Sequence, residues 1–121
     1  MLRCMVGCML LCTGFAIGES RATERLFRLR ISRRRIDNGA ASIRVTAGDW
    51  VELRWRTDEA TSIHLHGYDI QLALDPAAEA RMRFEARATG RFPISAHGFG
   101  AEAGKRNHRE VVLLYLEVHP A

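Results

Sequence analysis

The stretch Trp50-Val51-Glu52-Leu53-Arg54-Trp55-Arg56 decides the fold. Val51, Leu53 and Trp55 fall on one parity, and Glu52, Arg54 and Arg56 fall on the other. Successive side chains of an extended chain point to opposite faces, so this is a strand with one dry and one wet face. The same alternation recurs upstream, where Phe27, Leu29 and Ile31 interleave with Arg28 and Arg30. It recurs downstream, where Ala80, Met82 and Phe84 interleave with Arg81, Arg83 and Glu85. Turn signals separate these runs: Asp37-Asn38-Gly39, Ala47-Gly48-Asp49, Asp58-Glu59, Asp75-Pro76 and Thr89-Gly90.

The remaining segments fit the same scheme. Ile43 to Val45, Phe92 to His97 and Val111 to Val118 read as strands, and Gly98 to Arg109 as a long polar loop. Ile63 to Leu74 is apolar on both parities, as a strand covered on both faces would be. No segment reads as a helix. About seven short strands with turns every ~8–12 residues predict an all-β sandwich or barrel. A length of 121 residues leaves room for one domain, and 47% hydrophobic with 26% charged residues is ordinary for a soluble globular chain.

The first residues have a different character. Arg3 precedes an apolar run from Cys4 to about Gly18, followed by Glu19, Ser20 and Arg21. A basic start, a roughly 7–15-residue apolar core and small residues at Ala16 and Gly18 describe a secretory signal peptide. The run is short for a membrane span, which needs about 20 apolar residues. The expected organisation is therefore a signal peptide over 1–20 and one domain over 21–121, exported to a bacterial periplasm, with no integral span after processing. Cys4, Cys8 and Cys12 are the only cysteines, so the processed domain has no disulfide and no thiolate for a metal.

All five histidines lie in the second half: His64, His66, His97, His108 and His119. His64 and His66 share a strand face, about 6.6 Å apart along the chain. Imidazoles at that spacing can meet one metal ion at about 2.0–2.1 Å. His97 ends another strand and His108 closes the loop before the last one, so the four predict a metal site at one pole of the sandwich. The bland readings are a solvent-facing His64, an exposed loop His108 among the cations Lys105, Arg106 and Arg109, and an incidental His119 beside the terminus.

The run Ile63-His64-Leu65-His66-Gly67-Tyr68-Asp69-Ile70 resembles the histidine-bearing strand of cupredoxin-like periplasmic domains. Ala47-Gly48-Asp49, Thr89-Gly90-Arg91-Phe92, His97 and Leu116-Glu117-Val118 follow in that family's order. The resemblance implies a Greek-key β-sandwich, with His66 and His97 on two copper-ligand positions. It places Ile94, or Ser95 one register away, where the family has its cysteine, and Glu102 near its methionine. The type 1 copper thiolate is thus absent, and blue-copper electron transfer with it.

Imidazoles completed by Glu102 or water would favour Cu(II), with zinc as an alternative, over Cu(I). Two functions follow. One is a copper-binding protein for storage, sensing or delivery. The other is a metal-free interaction module for a periplasmic protein partner. An enzyme is not expected: Ser95 near His97 lacks a Gly-x-Ser-x-Gly elbow and an oxyanion loop. The arginines at 28, 30, 33, 34 and 35 read as a solvated strand edge, or as contact with an acidic partner or anionic lipid, rather than as a nucleic-acid site. Mass spectrometry of the native protein should find its N-terminus near Glu19 or Arg21; retention of Met1 to Gly18 would overturn the export reading.

Overall fold

The computed structural model describes Gly14, residues 23–103, Lys105 and residues 109–121. The expected signal peptide, Gly14 apart, and His108 lie outside the described residues. Nine strands run through them: β1 (Glu24–Ser32), β2 (Arg35–Ile36), β3 (Ser42–Thr46), β4 (Trp50–Thr57), β5 (Thr61–Leu65), β6 (Ile70–Leu74), β7 (Ala80–Glu85), β8 (Gly90–Phe99) and β9 (Glu110–His119). One 3₁₀ turn, Gly100–Glu102, follows β8. The strands form two sheets, ordered β2-β1-β4-β7 and β3-β9-β8-β5-β6. Pairing is antiparallel except where β1 meets β4 and β3 meets β9.

The decisive alternation holds. Val51, Leu53 and Trp55 are fully buried between the sheets, with Leu29, Ile31, Met82 and Phe84 beside them. From the facing sheet come Ile63, Leu65, Ile94, Ala96, Leu114 and Leu116. Each sheet has one apolar face, and burying the two against each other is what folds the chain.

One expectation is corrected. Ile63 to Leu74 is not one strand covered on both faces but the hairpin β5–β6, paired from Thr61↔Leu74 to Leu65↔Ile70. Inward residues are odd in β5 (Thr61, Ile63, Leu65) and even in β6, where Leu74 is buried and Ile70 and Leu72 are half-buried. The turn switches the phase, so the run is apolar on both parities without either strand being so.

After β1 the chain turns twice, at Arg33-Arg34 and, as the Asp37-Asn38-Gly39 signal predicts, again before β3. β1 and β2 are joined by Arg33 and Arg34, with Ser32 opposite Arg35 and both arginines at positive φ, 52° and 63°. That is the backbone of a two-residue hairpin turn, which usually takes Asn or Gly. Here tertiary contacts hold it. The Arg33 N–H donates to Asp58 Oδ2 at 2.9 Å, and the Arg34 guanidinium grips Glu59 with two bonds of 3.0 and 2.9 Å. The hydrogen bond from Arg34 holds the Glu59 carboxyl below its ordinary value. Asn38-Gly39 then turns the chain toward the second sheet, with Asn38 Oδ1 accepting the Ala40 N–H at 2.9 Å.

The β5–β6 turn, residues 66–69, is pinned from outside the hairpin. The Tyr68 hydroxyl donates to the Ala88 carbonyl at 2.8 Å, and its ring packs on Phe84 and Phe92. Gly67, at φ +83°, lies so close to Phe92 that an added Cβ would come within 2.3 Å of the ring. Gly67→Ala should therefore lower stability by about 1–3 kcal/mol, from a left-handed backbone and a ring displaced from its contact with Tyr68. Equilibrium denaturation measures this; an unchanged midpoint would show that Phe92 moves aside freely.

Candidate metal centre

On β5 the residues opposite in parity to Ile63 and Leu65 are Ser62 and His64, which leave the sheet on the face away from the core. His66 lies one residue beyond the strand but continues its pairing, since its backbone N–H donates to the Pro93 carbonyl at 3.0 Å. On β8 the same outer face carries Ser95 and His97, which alternate with the buried Ile94 and Ala96. The ladder sets His64 opposite Ser95 and Ser62 opposite His97.

The fourth residue comes from β9. Between Ile94 and Ser95 the β8–β9 register slips by one: Ile94 pairs with Leu114, but Ser95 pairs with Val112 and His97 with Glu110. Leu113 is the extra residue of a β-bulge. Without it His97 would face Val111. With it, Glu110 stands directly across from His97, on the same face.

Thus His64, His66, His97 and Glu110 come together, with one ligand atom from each lying within 4.8 Å of all the others. Ring centroids are 4.1 Å apart for His64 and His66, 5.7 Å for His64 and His97, and 6.5 Å for His66 and His97. Glu110 bonds His66 Nε2 and approaches His97 Nε2 at 3.6 Å. His64 Nε2 meets Asp69 Oδ1 at 3.3 Å. Donors around a tetrahedral ion at about 2.0–2.1 Å sit roughly 3.3 Å apart, so small side-chain rotations would suffice to close the cluster on an ion. Three imidazoles and a carboxylate suit Cu(II) or Zn(II); they do not fit type 1 copper, which requires a thiolate.

Burial pushes the Glu110 carboxyl up, but the hydrogen bond to His66, the nearby Ser95 hydroxyl and the His66 and His97 rings outweigh it. The group ends below its ordinary value of 4.5. Ser95 is itself 1% exposed, held beneath this cluster.

The site differs from the expectation in three respects. It lies on the outer face of the five-stranded sheet rather than at a pole. Its carboxylate is Glu110; Glu102 lies in the 3₁₀ turn, 3.3 Å from Lys105 Nζ. Asp69 joins as a partner of His64, made reachable by its own left-handed backbone, φ 54°. His108, the fourth histidine proposed as a ligand, falls outside the described residues, and His119 lies at the far end of β9 beside Glu117. Ser95 and His97 share a face, but the serine sits buried below a metal-ligand type cluster. The sequence signals Glu110 only through its position at the start of the last strand, because the bulge that aims it leaves no mark.

No family model matches the sequence, and no curated protein matches it. Solved structures do. A chain of a heme-copper terminal oxidase dimer superposes with a TM-score of 0.59 at 18% identity, over 93% of this chain and 78% of that one. The blue copper oxidase of Nitrosomonas europaea gives 0.57 at 21% identity, over 80% and 39%. The multicopper oxidase mgLAC gives 0.60 at 19%, over 81% and 39%. The chain spans about two-fifths of those two oxidases. The shared feature at such identities is the fold, and the domain is a cupredoxin-like β-sandwich.

A carboxyl held below its ordinary value contributes stability above that value and loses it as pH falls through the lowered one. Metal-stripped wild type should therefore be more stable than Glu110→Gln at neutral pH, with the two converging as pH falls through the lowered value of the carboxyl. Urea unfolding across that range decides; parallel curves would show that Glu110 carries no favourable contact.

Proposed function

We propose that the protein is an exported copper-binding cupredoxin-like domain, holding Cu(II) on His64, His66, His97 and Glu110 for storage, sensing or delivery. The observation that supports this is the convergence of the four donor atoms within 4.8 Å, drawn from three adjacent strands of one sheet. The fold shared with copper proteins supports the choice of ion, as does the ordinary affinity order, in which Cu(II) exceeds Zn(II) at nitrogen and oxygen sites. A bound ion would supply Lewis acidity and a positive charge; the residues supply its geometry. His66, His97 and Glu110 are each about one-third exposed, so the site faces solvent and can exchange its cargo. No catalytic step is assigned. The periplasm is the destination in this reading, as the N-terminal apolar run suggests.

The thiol position of the resemblance now has a concrete meaning. Ile94 points into the core, whereas Ser95 lies against the cluster, opposite His64. Calorimetry with Cu(II) and Zn(II) should show binding by wild type and a loss of about ten-fold or more for His66→Ala, His97→Ala or Glu110→Gln. His119→Ala should leave affinity unchanged. Binding should weaken as the medium is acidified, because each imidazole must be neutral to coordinate. Cu(II) on wild type should show only weak visible absorption, and Ser95→Cys should add an intense thiolate charge-transfer band. No binding, or a colourless Ser95→Cys complex, would remove the metal from this cluster and leave the metal-free interaction module as the function.

A further inference from the structure

The outer face of the other sheet carries a second pattern, visible only through its register. Reading across β1, β4 and β7, Glu24 stands beside Trp50 and Glu85, and Leu26 beside Glu52 and Arg83. Next come Arg28, Arg54 and Arg81, and then Arg30 and Arg56. Of these four rows only that of Leu26, Glu52 and Arg83 carries both signs. Some cations find acids outside their own row: Arg56 reaches Glu79 at 3.7 Å, and Arg83 reaches Glu24 at 3.4 Å.

The row of Arg28, Arg54 and Arg81 contains no acid. Arg54 borrows Glu52 along its own strand at 3.0 Å, while Arg28 and Arg81 form no ion pair among the described residues. Like charges directly opposite one another on a sheet are destabilising, and neighbouring strands are only about 4.8 Å apart. Three arginines thus stand at opposed positions on adjacent strands, roughly 10 Å in all, with only Arg54 compensated, at a cost to the free domain. A bound partner carrying carboxylates would relieve that cost.

A hollow of mixed character adjoins the row. It is a depression of about 360 Å³ in which the apolar Leu26 and Trp50 lie among the charged Glu24, Arg25, Glu52, Arg54 and Arg83. Leu26 is 46% exposed, and Arg83 lies over the Trp50 ring at 4.5 Å. Arginine and tryptophan beside an exposed leucine are the residues that dominate protein interfaces. Glu24, Glu52 and Glu85 border the same area and would repel a uniformly anionic surface such as a membrane or a polyphosphate.

We propose that this face docks an acidic protein segment, whose carboxylates span the Arg28–Arg54–Arg81 row while an apolar or aromatic side chain enters the Leu26–Trp50 hollow. The surface is on the opposite sheet from the histidine cluster, and the inference does not rest on the metal reading.

The test uses metal-stripped protein at low salt, where screening is weak. The probes are a random glutamate–tyrosine copolymer, plain polyglutamate, polyphosphate, and phosphatidylcholine vesicles containing phosphatidylglycerol. The copolymer should bind more tightly than the other three. The double variant Arg28→Gln/Arg81→Gln should bind it about ten-fold more weakly, and Leu26→Ser should weaken the copolymer but not polyglutamate. The double variant should also melt no lower than wild type, because it removes repulsion. Arg44→Gln, on the other sheet and paired with Glu117, should lose much less. Equal binding of copolymer and polyglutamate, tighter binding of vesicles or polyphosphate, an Arg44→Gln loss matching the double variant, or a double variant that melts lower would each overturn the proposal.

Discussion

The pairing of β8 with β9 is the constraint on which the site depends. Those strands are the longest in their sheet and lie at its centre, with β5 and β3 built onto them. Up to Ile94 and Leu114 their register is regular; the extra residue at Leu113 then moves everything beyond it by one place. A one-residue slip in a sheet exchanges the two faces. Here it lifts Glu110 to the face that holds His97 and puts Val111 on the other, so a backbone irregularity decides which atoms meet. The β5 histidines are fixed to the same reference, since His64 pairs with Ser95 and the His66 N–H is bound by Pro93.

Strand alternation was the part of the fold legible in the chain. Wherever one face is dry and one is wet, as in β1, β4 and β7, the period of two is strong enough to read without neighbours. The β5–β6 hairpin escaped because its two arms use opposite parities, and their sum imitates a doubly buried strand. The Arg33-Arg34 turn reads in the sequence only as a break in the strand. Its backbone is unfavourable for arginine locally, and it is stabilised by Asp58 and Glu59, some 25 residues away. Local propensity carries no trace of such partners. The three clustered histidines were legible by spacing and strand position, but their carboxylate partner depended on a bulge.

The two outer faces of the sandwich have different chemistry. The five-stranded sheet gathers imidazoles and a carboxylate into a compact polar cluster over a buried serine. The four-stranded sheet spreads guanidinium groups and carboxylates in rows, with Arg28, Arg54 and Arg81 aligned in one of them. Such a row is not explained by folding, because the core beneath it (Leu29, Leu53, Met82) would form equally well under neutral side chains. The basic character of the strand seen in the sequence therefore becomes meaningful only in combination with the strands that flank it.

Every donor in the histidine cluster sits on the side of its sheet that faces away from the hydrophobic core. The ladder residues that alternate with those donors, Ile63, Leu65, Ile94 and Ala96, do the packing. Evolutionary change at the two sets is consequently uncoupled. A lineage can acquire, exchange or discard donors on this scaffold one at a time while every intermediate still folds, so binding chemistry can drift far while the architecture persists. Sequence identity near 20% alongside a common fold is the divergence such an arrangement permits.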